Sequence, residues 1–313
     1  MDILRLYEEG FSKILLDHRD HYLHSASVYA LGLAIYNGCS TIRNACNTDR
    51  HEADFRHEQK ASFLFRWSLA ACLHDLAYPL ELSLKSFNRY SNYLNQIADD
   101  TRHTFISIDP RIYERFNLLP IIHPENNLMP MIRKDTALGL IASCLTDHTF
   151  RRSPVTFETL HDVLKRYLKN NLAIGRIDHG VFSSFIVLRK IHQLYLKNNW
   201  DIWNYYYEVV DAATAIFLHN SYAHSELKNI YRNGKFNYDY PSPLGYLLFL
   251  ADSLCEWFRG NRRDYKVFGV HVDDRRITLR MPKKVIAKMA GSAELFDERI
   301  PVISTDKWDF VTD

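Results

Sequence analysis

Apolar positions along this chain recur mainly at helical intervals, predicting helices near 3–16, 20–37, 60–76, 80–99, 135–147, 156–171, 178–197, 201–224 and 242–259. In the second of these, His21, His24, Val28, Leu31 and Ile35 follow the i, i+3, i+4, i+7 rule, so His24 extends an apolar stripe. The stretch beginning Pro241-Ser242-Pro243 offers a Ser N-cap and a Pro at the first helical position. Its residues Leu244, Leu248, Asp252 and Cys255 share one face, which predicts a buried Asp252. Another stripe runs Tyr205, Val209, Ala212, Ile216, His219.

Polar stretches around 39–58 and 101–134 interrupt the helices and read as loops. The second contains Pro110, Pro120, Pro124 and Pro130 and is long for a structureless connection, which suggests a lid over a site. After Arg263 the pattern changes: Lys266–Val272 and Arg276–Met281 flank Asp273-Asp274-Arg275 and read as a β-hairpin. An amphipathic stretch from Pro282 to Phe296 follows, then a polar tail. The expected architecture is mostly α: a helical bundle over 1–263, with a C-terminal β-hairpin and helix appendage over 264–313 packed on it.

Four groups break the apolar stripes without an obvious packing reason. His74-Asp75 closes the run Phe63–Leu73, and His24 and Asp252 lie in equally apolar surroundings. A lone core histidine is usually satisfied by a hydrogen bond, an aspartate can pair with an arginine, and His161-Asp162 is a second doublet on a Lys/Arg-rich, solvent-facing helix. One divalent ion explains all four groups at once. Imidazole and carboxylate suit such an ion, and the ion compensates the buried negative charge.

The order His24, His74-Asp75, Asp252 resembles the HD superfamily of metal-dependent phosphohydrolases. More closely, Arg19-Asp-His-Tyr-Leu-His-Ser25, Leu73-His-Asp-Leu-Ala-Tyr-Pro79, Asp178-His-Gly-Val-Phe-Ser-Ser184 and the Pro243–Arg259 segment are similar to the HD hydrolases of bacterial conflict (anti-phage) systems, over about residues 17–280. The resemblance implies an HD-domain helical bundle and a divalent metal (Mn, Fe, Ni, Zn or Mg) held by His24, His74, Asp75 and Asp252. It makes His179 and His219 candidates for a second ion or for substrate phosphate, and the catalytic candidates are Asp75, His179 and His219. Many HD enzymes carry a Gly-Lys pair after the doublet, where this chain has Ala77-Tyr78-Pro79, so no lysine role carries over.

Composition agrees with a folded enzyme: 313 residues, 47% hydrophobic, and a net charge of +2, which gives no global electrostatic case for nucleic acid or an anionic membrane. The five cysteines lack C-x-x-C spacing and read as reduced thiols, and no signal-peptide pattern or membrane-length apolar run is visible. A cytoplasmic location is the expectation. His179 follows Asp178, an expected N-cap, which places its imidazole in the first turn of a helix.

The function these residues and the resemblance imply is hydrolysis of a phosphoester or phosphoanhydride on a nucleotide, in a defence setting implied by the resemblance alone. A two-metal phosphodiesterase for a cyclic or oligomeric nucleotide is one alternative, and a metal-stabilised nucleotide sensor without turnover is another. Expected partners are a nucleotide or other phosphate-bearing small molecule, and a second copy or a defence-system protein. One metal is the expectation, because no second carboxylate beside His179 or His219 points convincingly inward and Asp178 serves better as a cap. Arg19, Arg151, Arg152 and Arg259 are available to meet transition-state charge.

Overall fold

The computed structural model describes residues 21–47, 63–97, 109–119, 136–150, 156–200, 205–220, 227, 238–239, 241–258, 269–274, 276–280 and 302–305. Over these residues the protein is mostly helical, with a small sheet near the C-terminus. The helices are α1 (His21–Gly38), α2 (Ser40–Asn47), α3 (Phe63–Leu73), α4 (Tyr78–Ile97), α5 (Pro110–Asn117), α6 (Ala137–Phe150), α7 (Phe157–Ala173), α8 (His179–Asn198), α9 (Asp211–His219) and α10 (Pro243–Phe258). Strands β1 (Gly269–Asp273), β2 (Arg276–Arg280) and β3 (Val302–Thr305) follow.

Helix α9 lies at the centre, packed against α3, α8 and α10, while α1 packs on both α3 and α10. All nine of its residues are buried, and Ala212, Ala213 and Ala215 let its neighbours approach from several sides. A helix that is mostly apolar all round has no solvent face to keep, so the centre of the bundle is its natural place. Asp211 and His219, at its two ends, are buried with it.

Helices α1 and α3 come unusually close. The Trp67 indole N–H donates to the Tyr29 carbonyl at 3.0 Å, and a Cβ built on Gly32 would lie 1.9 Å from Trp67 Cζ2. Only a residue without a side chain fits under the fully buried ring. Gly32→Ala is therefore expected to destabilise the protein by about 1–3 kcal/mol or more through overpacking, seen as a melting temperature lower by about 5 °C. An unchanged melting curve would show that the two helices do not meet there.

Several boundaries differ from the sequence expectation. The helix expected over 60–76 stops at Leu73, and residues 74–77 form a turn. Pro79 explains the stop: in a continuous helix its ring would clash with the Asp75 carbonyl. Instead, Tyr78 N–H bonds that carbonyl at 2.9 Å, and Ala77 N–H donates to Ser183 Oγ on α8 at 2.9 Å. The doublet therefore sits in a turn pinned to α8.

The stretch 39–58, expected as a loop, contains α2, whose Ile42 and Cys46 are buried. The 101–134 stretch contains α5, which starts at Pro110 behind an Asp109 cap. Tyr113 and Phe116 of α5 pack edge-on against Phe182 of α8. That part of the expected lid is a packed helix, and the segment 120–135 lies outside the described residues. The helix expected over 201–224 is a π-helical turn, Tyr205–Val210, running into α9. The helices expected at 3–16 and within 282–296 also lie outside the described residues.

The hairpin forms as expected, with Gly269 opposite Arg280 and Asp273 opposite Arg276. The expected polar tail holds one further element: β3 pairs parallel with β2, Ile277 opposite Val302. The hairpin docks on the α1–α2 corner, where Ser40 N–H donates to Asp274 Oδ1 at 3.3 Å, and Ile277 is fully buried in the main core. No helix among the described residues is long and apolar enough to cross a membrane. None of the five cysteines is in a disulfide, and four of them are buried.

Candidate metal centre

Five segments far apart in sequence deliver the site. His24 comes from the first turns of α1, His74 and Asp75 from the turn after α3, Asp252 from the middle of α10, and His179 and His219 from the start of α8 and the end of α9. The structure thus brings together all six residues singled out in the sequence. Asp252 is the one whose environment differs from expectation: its side chain is 23% exposed, not buried.

Donor atoms of the His24, His74, Asp75 and Asp252 side chains approach one another closely. His24 Nε2 lies 2.7 Å from Asp252 Oδ1 and 3.8 Å from Asp75 Oδ2. His74 Nε2 lies 3.4 Å from Asp75 Oδ2 and 3.8 Å from Asp252 Oδ1. Ligands about 2.0–2.2 Å from one ion stand about 3.0–3.6 Å from each other; of these pairs only His74 Nε2–Asp75 Oδ2 already has that spacing, the others being a few tenths of an ångström too short or too long. Two groups of three donors, His24/His74/Asp252 and His74/Asp75/His219, each have ligand atoms within 4.8 Å of one another and could hold an ion, and they share His74.

Ring tautomers add an independent argument. His74 Nδ1–H donates to the Ala71 carbonyl at 2.9 Å, and His219 Nδ1–H donates to the Ile216 carbonyl at 2.5 Å. A carbonyl only accepts, so in the neutral ring each Nε2 carries the lone pair. His74 Nε2 is buried and has no hydrogen-bond partner. A buried, unpartnered nitrogen lone pair facing two carboxylates is unfavourable unless a cation sits between them. A histidine ligand whose other nitrogen donates to a carbonyl or carboxylate is also the usual arrangement around a metal.

His179 is held differently. Its Nδ1–H donates to Glu81 Oε2 at 2.6 Å and its Nε2 lies 3.2 Å from both Asp75 Oδ1 and His219 Nε2. Glu81, from the first turn of α4, also accepts the His179 backbone N–H and a bond from Lys85. Burial alone would raise the Glu81 carboxyl, but the His179 hydrogen bond and charge, with Lys85, outweigh it and hold it down to about 2. Burial likewise opposes charge on His179, yet Asp75 and Glu81 raise it well above its ordinary value. At His219, burial and the neighbouring His179 and His74 act together and lower the imidazole to about 4. With no cation bound, the His179 Nε2 proton is therefore shared between Asp75 and a neutral His219.

Glu81 escaped the sequence reading, because an acid in the first turn of a helix is common for its favourable dipole interaction alone. Its presence also corrects the expectation that no carboxylate stands beside His179. Asp178 does act as the expected cap, accepting from Gly180 N–H at 2.9 Å, and its other oxygen accepts from Tyr167. Gly180 is required where α8 meets α9, since a Cβ there would lie 2.9 Å from the Ile216 carbonyl. Arg19, Arg151, Arg152 and Arg259 lie outside the described residues. His161-Asp162 stands apart from the site, with His161 stacked on Phe157 at a centroid distance of 5.5 Å.

The pH dependence follows from His179. Its folded pKa is raised, so its stabilisation is complete below the ordinary value of 6.5 and is lost as pH rises through the raised value. In chelator, the protein is expected to lose thermal stability over that alkaline range, and Glu81→Gln is expected to flatten the loss. Equal slopes for the two proteins would show that His179 is not charged against Glu81.

Compared with protein-family models, with curated proteins and with solved structures, the chain matches none. The class that fold and site define is a mostly helical bundle with a largely buried His/Asp cluster at its centre.

Proposed function

We propose that this protein is an HD-type, metal-dependent phosphohydrolase acting on a nucleotide or nucleotide-derived phosphate. The observation that carries the reading is the convergence of His24, His74, Asp75 and Asp252 donor atoms around the unpartnered His74 Nε2. Bound there, a divalent ion would lower the pKa of a water and neutralise charge building on a phosphoryl oxygen. Asp75 and Asp252 contribute the negative charge that favours a cation, and His24 and His74 contribute neutral nitrogens. His179, charged against Glu81, presents an Nε2 proton that can stabilise or protonate a phosphate oxygen. Asp252, the most exposed of the four at 23%, marks where substrate would approach.

One observation favours a second reading, the two-metal phosphodiesterase. The oxygens of Asp75 face different partners: Oδ2 the His24/His74 side and Oδ1 the His179/His219 side. A carboxylate so placed can bridge two ions about 3.5–4 Å apart, an arrangement suited to diester cleavage.

The test is to incubate the purified protein with Mn²⁺ and a nucleotide panel, reading products by mass spectrometry and bound metal by elemental analysis. The one-ion reading expects one equivalent in wild type, retained in His179→Ala and His219→Ala while their turnover falls. Two equivalents falling to one in either variant would favour the diesterase. Metal binding without turnover on any nucleotide would point to a sensor, and no metal binding would overturn both enzyme readings.

A further inference from the structure

A second buried polar contact lies deeper in the bundle. Arg66 on α3 and Asp211 at the start of α9 are both buried, and Arg66 Nη1 donates to Asp211 Oδ2 at 2.9 Å. Nη2 of the same guanidinium donates to the Cys46 carbonyl of α2 at 3.0 Å, so one side chain ties three helices together. Its Nε has no hydrogen-bond partner. A buried ion pair with an unsatisfied donor is a poor device for stability, since apolar residues of similar volume would serve as well or better. Its presence calls for another reason.

Position along the helices supplies one. Arg66 precedes His74 by eight residues, and Asp211 precedes His219 by eight residues, about 12 Å along each helix. With the ion pair at one end and the His74 and His219 rings edge-on at 5.2 Å at the other, α3 and α9 run side by side in the same direction. A slip of one residue, about 1.5 Å, would break the ion pair. The small apolar residues between, Ala70 on α3 and Ala212 and Ala215 on α9, have no directional contact to resist it. Asp211 also stands where the π-helical turn Tyr205–Val210 ends. Such a turn shifts the phase of the helix that follows, so an anchor at its end sets where His219 points.

We propose that Arg66 and Asp211 are positioning residues that fix the register of α3 against α9 and so hold His74 Nε2 and His219 Nε2 toward one centre. The functional consequence rests on the metal reading above, whereas the geometric claim does not.

Wild type, Arg66→Met/Asp211→Leu and Arg66→Lys are compared as full-length chains. The double variant leaves no unpaired buried charge and is expected to melt near wild type. Arg66→Lys keeps the charge but loses the fork that reaches Asp211 and the Cys46 carbonyl together. In chelator, with labelled histidines, a ring-to-ring NMR contact between His74 and His219 is expected in wild type and expected to vanish in the double variant. With Co²⁺ as probe, affinity by chelator competition is expected to fall about 10–100-fold in the double variant, with a changed visible spectrum. Arg66→Lys is expected to show smaller changes in the same direction. Wild-type values in the double variant overturn the proposal, as do wild-type values in Arg66→Lys where the double variant does not fold. A wild type that binds no Co²⁺ but shows the ring contact, lost in the double variant, supports the positioning role and sinks the metal reading alone.

Discussion

On the phosphohydrolase reading proposed above, Asp75→Asn is expected to abolish turnover while leaving the fold in place. The amide matches the carboxylate in shape, so the turn between α3 and α4, pinned by the Ala77 to Ser183 bond, has no steric reason to rearrange. Its chemistry changes at both ends. Asp75 Oδ2 lies 3.4 Å from His74 Nε2, and Oδ1 lies 3.2 Å from His179 Nε2. One of these positions becomes an NH₂ that cannot ligate a cation or accept the His179 proton, and a full negative charge is lost from a buried cluster. Turnover should fall by about 10²–10³-fold or more, the size seen when one group stabilising transition-state charge is removed. Bound metal should fall with it, while the variant melts close to chelator-treated wild type. Kinetics, elemental analysis and a melting curve on one preparation check this. Near-normal hydrolysis would mean that His74-Asp75 is as incidental as His161-Asp162.

The largest expected loss of stability comes from Arg66→Met alone. The side chain is replaced by one of comparable length, so cavity formation is minor, but the carboxylate of Asp211, 3% exposed, loses the guanidinium that balances its charge. Removing one partner of a buried pair costs about 3–5 kcal/mol, mostly the penalty of the stranded charge. For a chain of this size that corresponds to a melting temperature lower by about 5–8 °C. Adding Asp211→Leu should recover most of the loss, because the stranded charge disappears. A single variant that melts like wild type would show that another group or water satisfies Asp211.

Much of the site was legible because a polar residue in an apolar stripe is a local signal. His24, Asp252 and His219 each extend a helical face, and Asp178-His179 carries a capping pattern, so their helices and inward direction follow from periodicity. The overlooked helices α2 and α5 had weaker signals. Only two buried positions mark α2, and α5 sits among prolines, where its Asp109-Pro110 start looks like a turn. Strand β3 had no local signal to separate it from a tail, because its register is set by β2, more than twenty residues earlier.

Sequence alone thus determined the helical class, the hairpin and the set of histidines and aspartates that turn inward, since each depends on spacing within one element. Tertiary structure decided which groups meet: Glu81 with His179, the two faces of Asp75, the partial exposure of Asp252, and Arg66 with Asp211 across 145 residues of chain. Periodicity states that a side chain points into the core, but not which side chain meets it there. That is settled by how the helices pack, through Gly32 beneath Trp67 and Gly180 against the Ile216 carbonyl, and by the cost of leaving a buried charge without a partner.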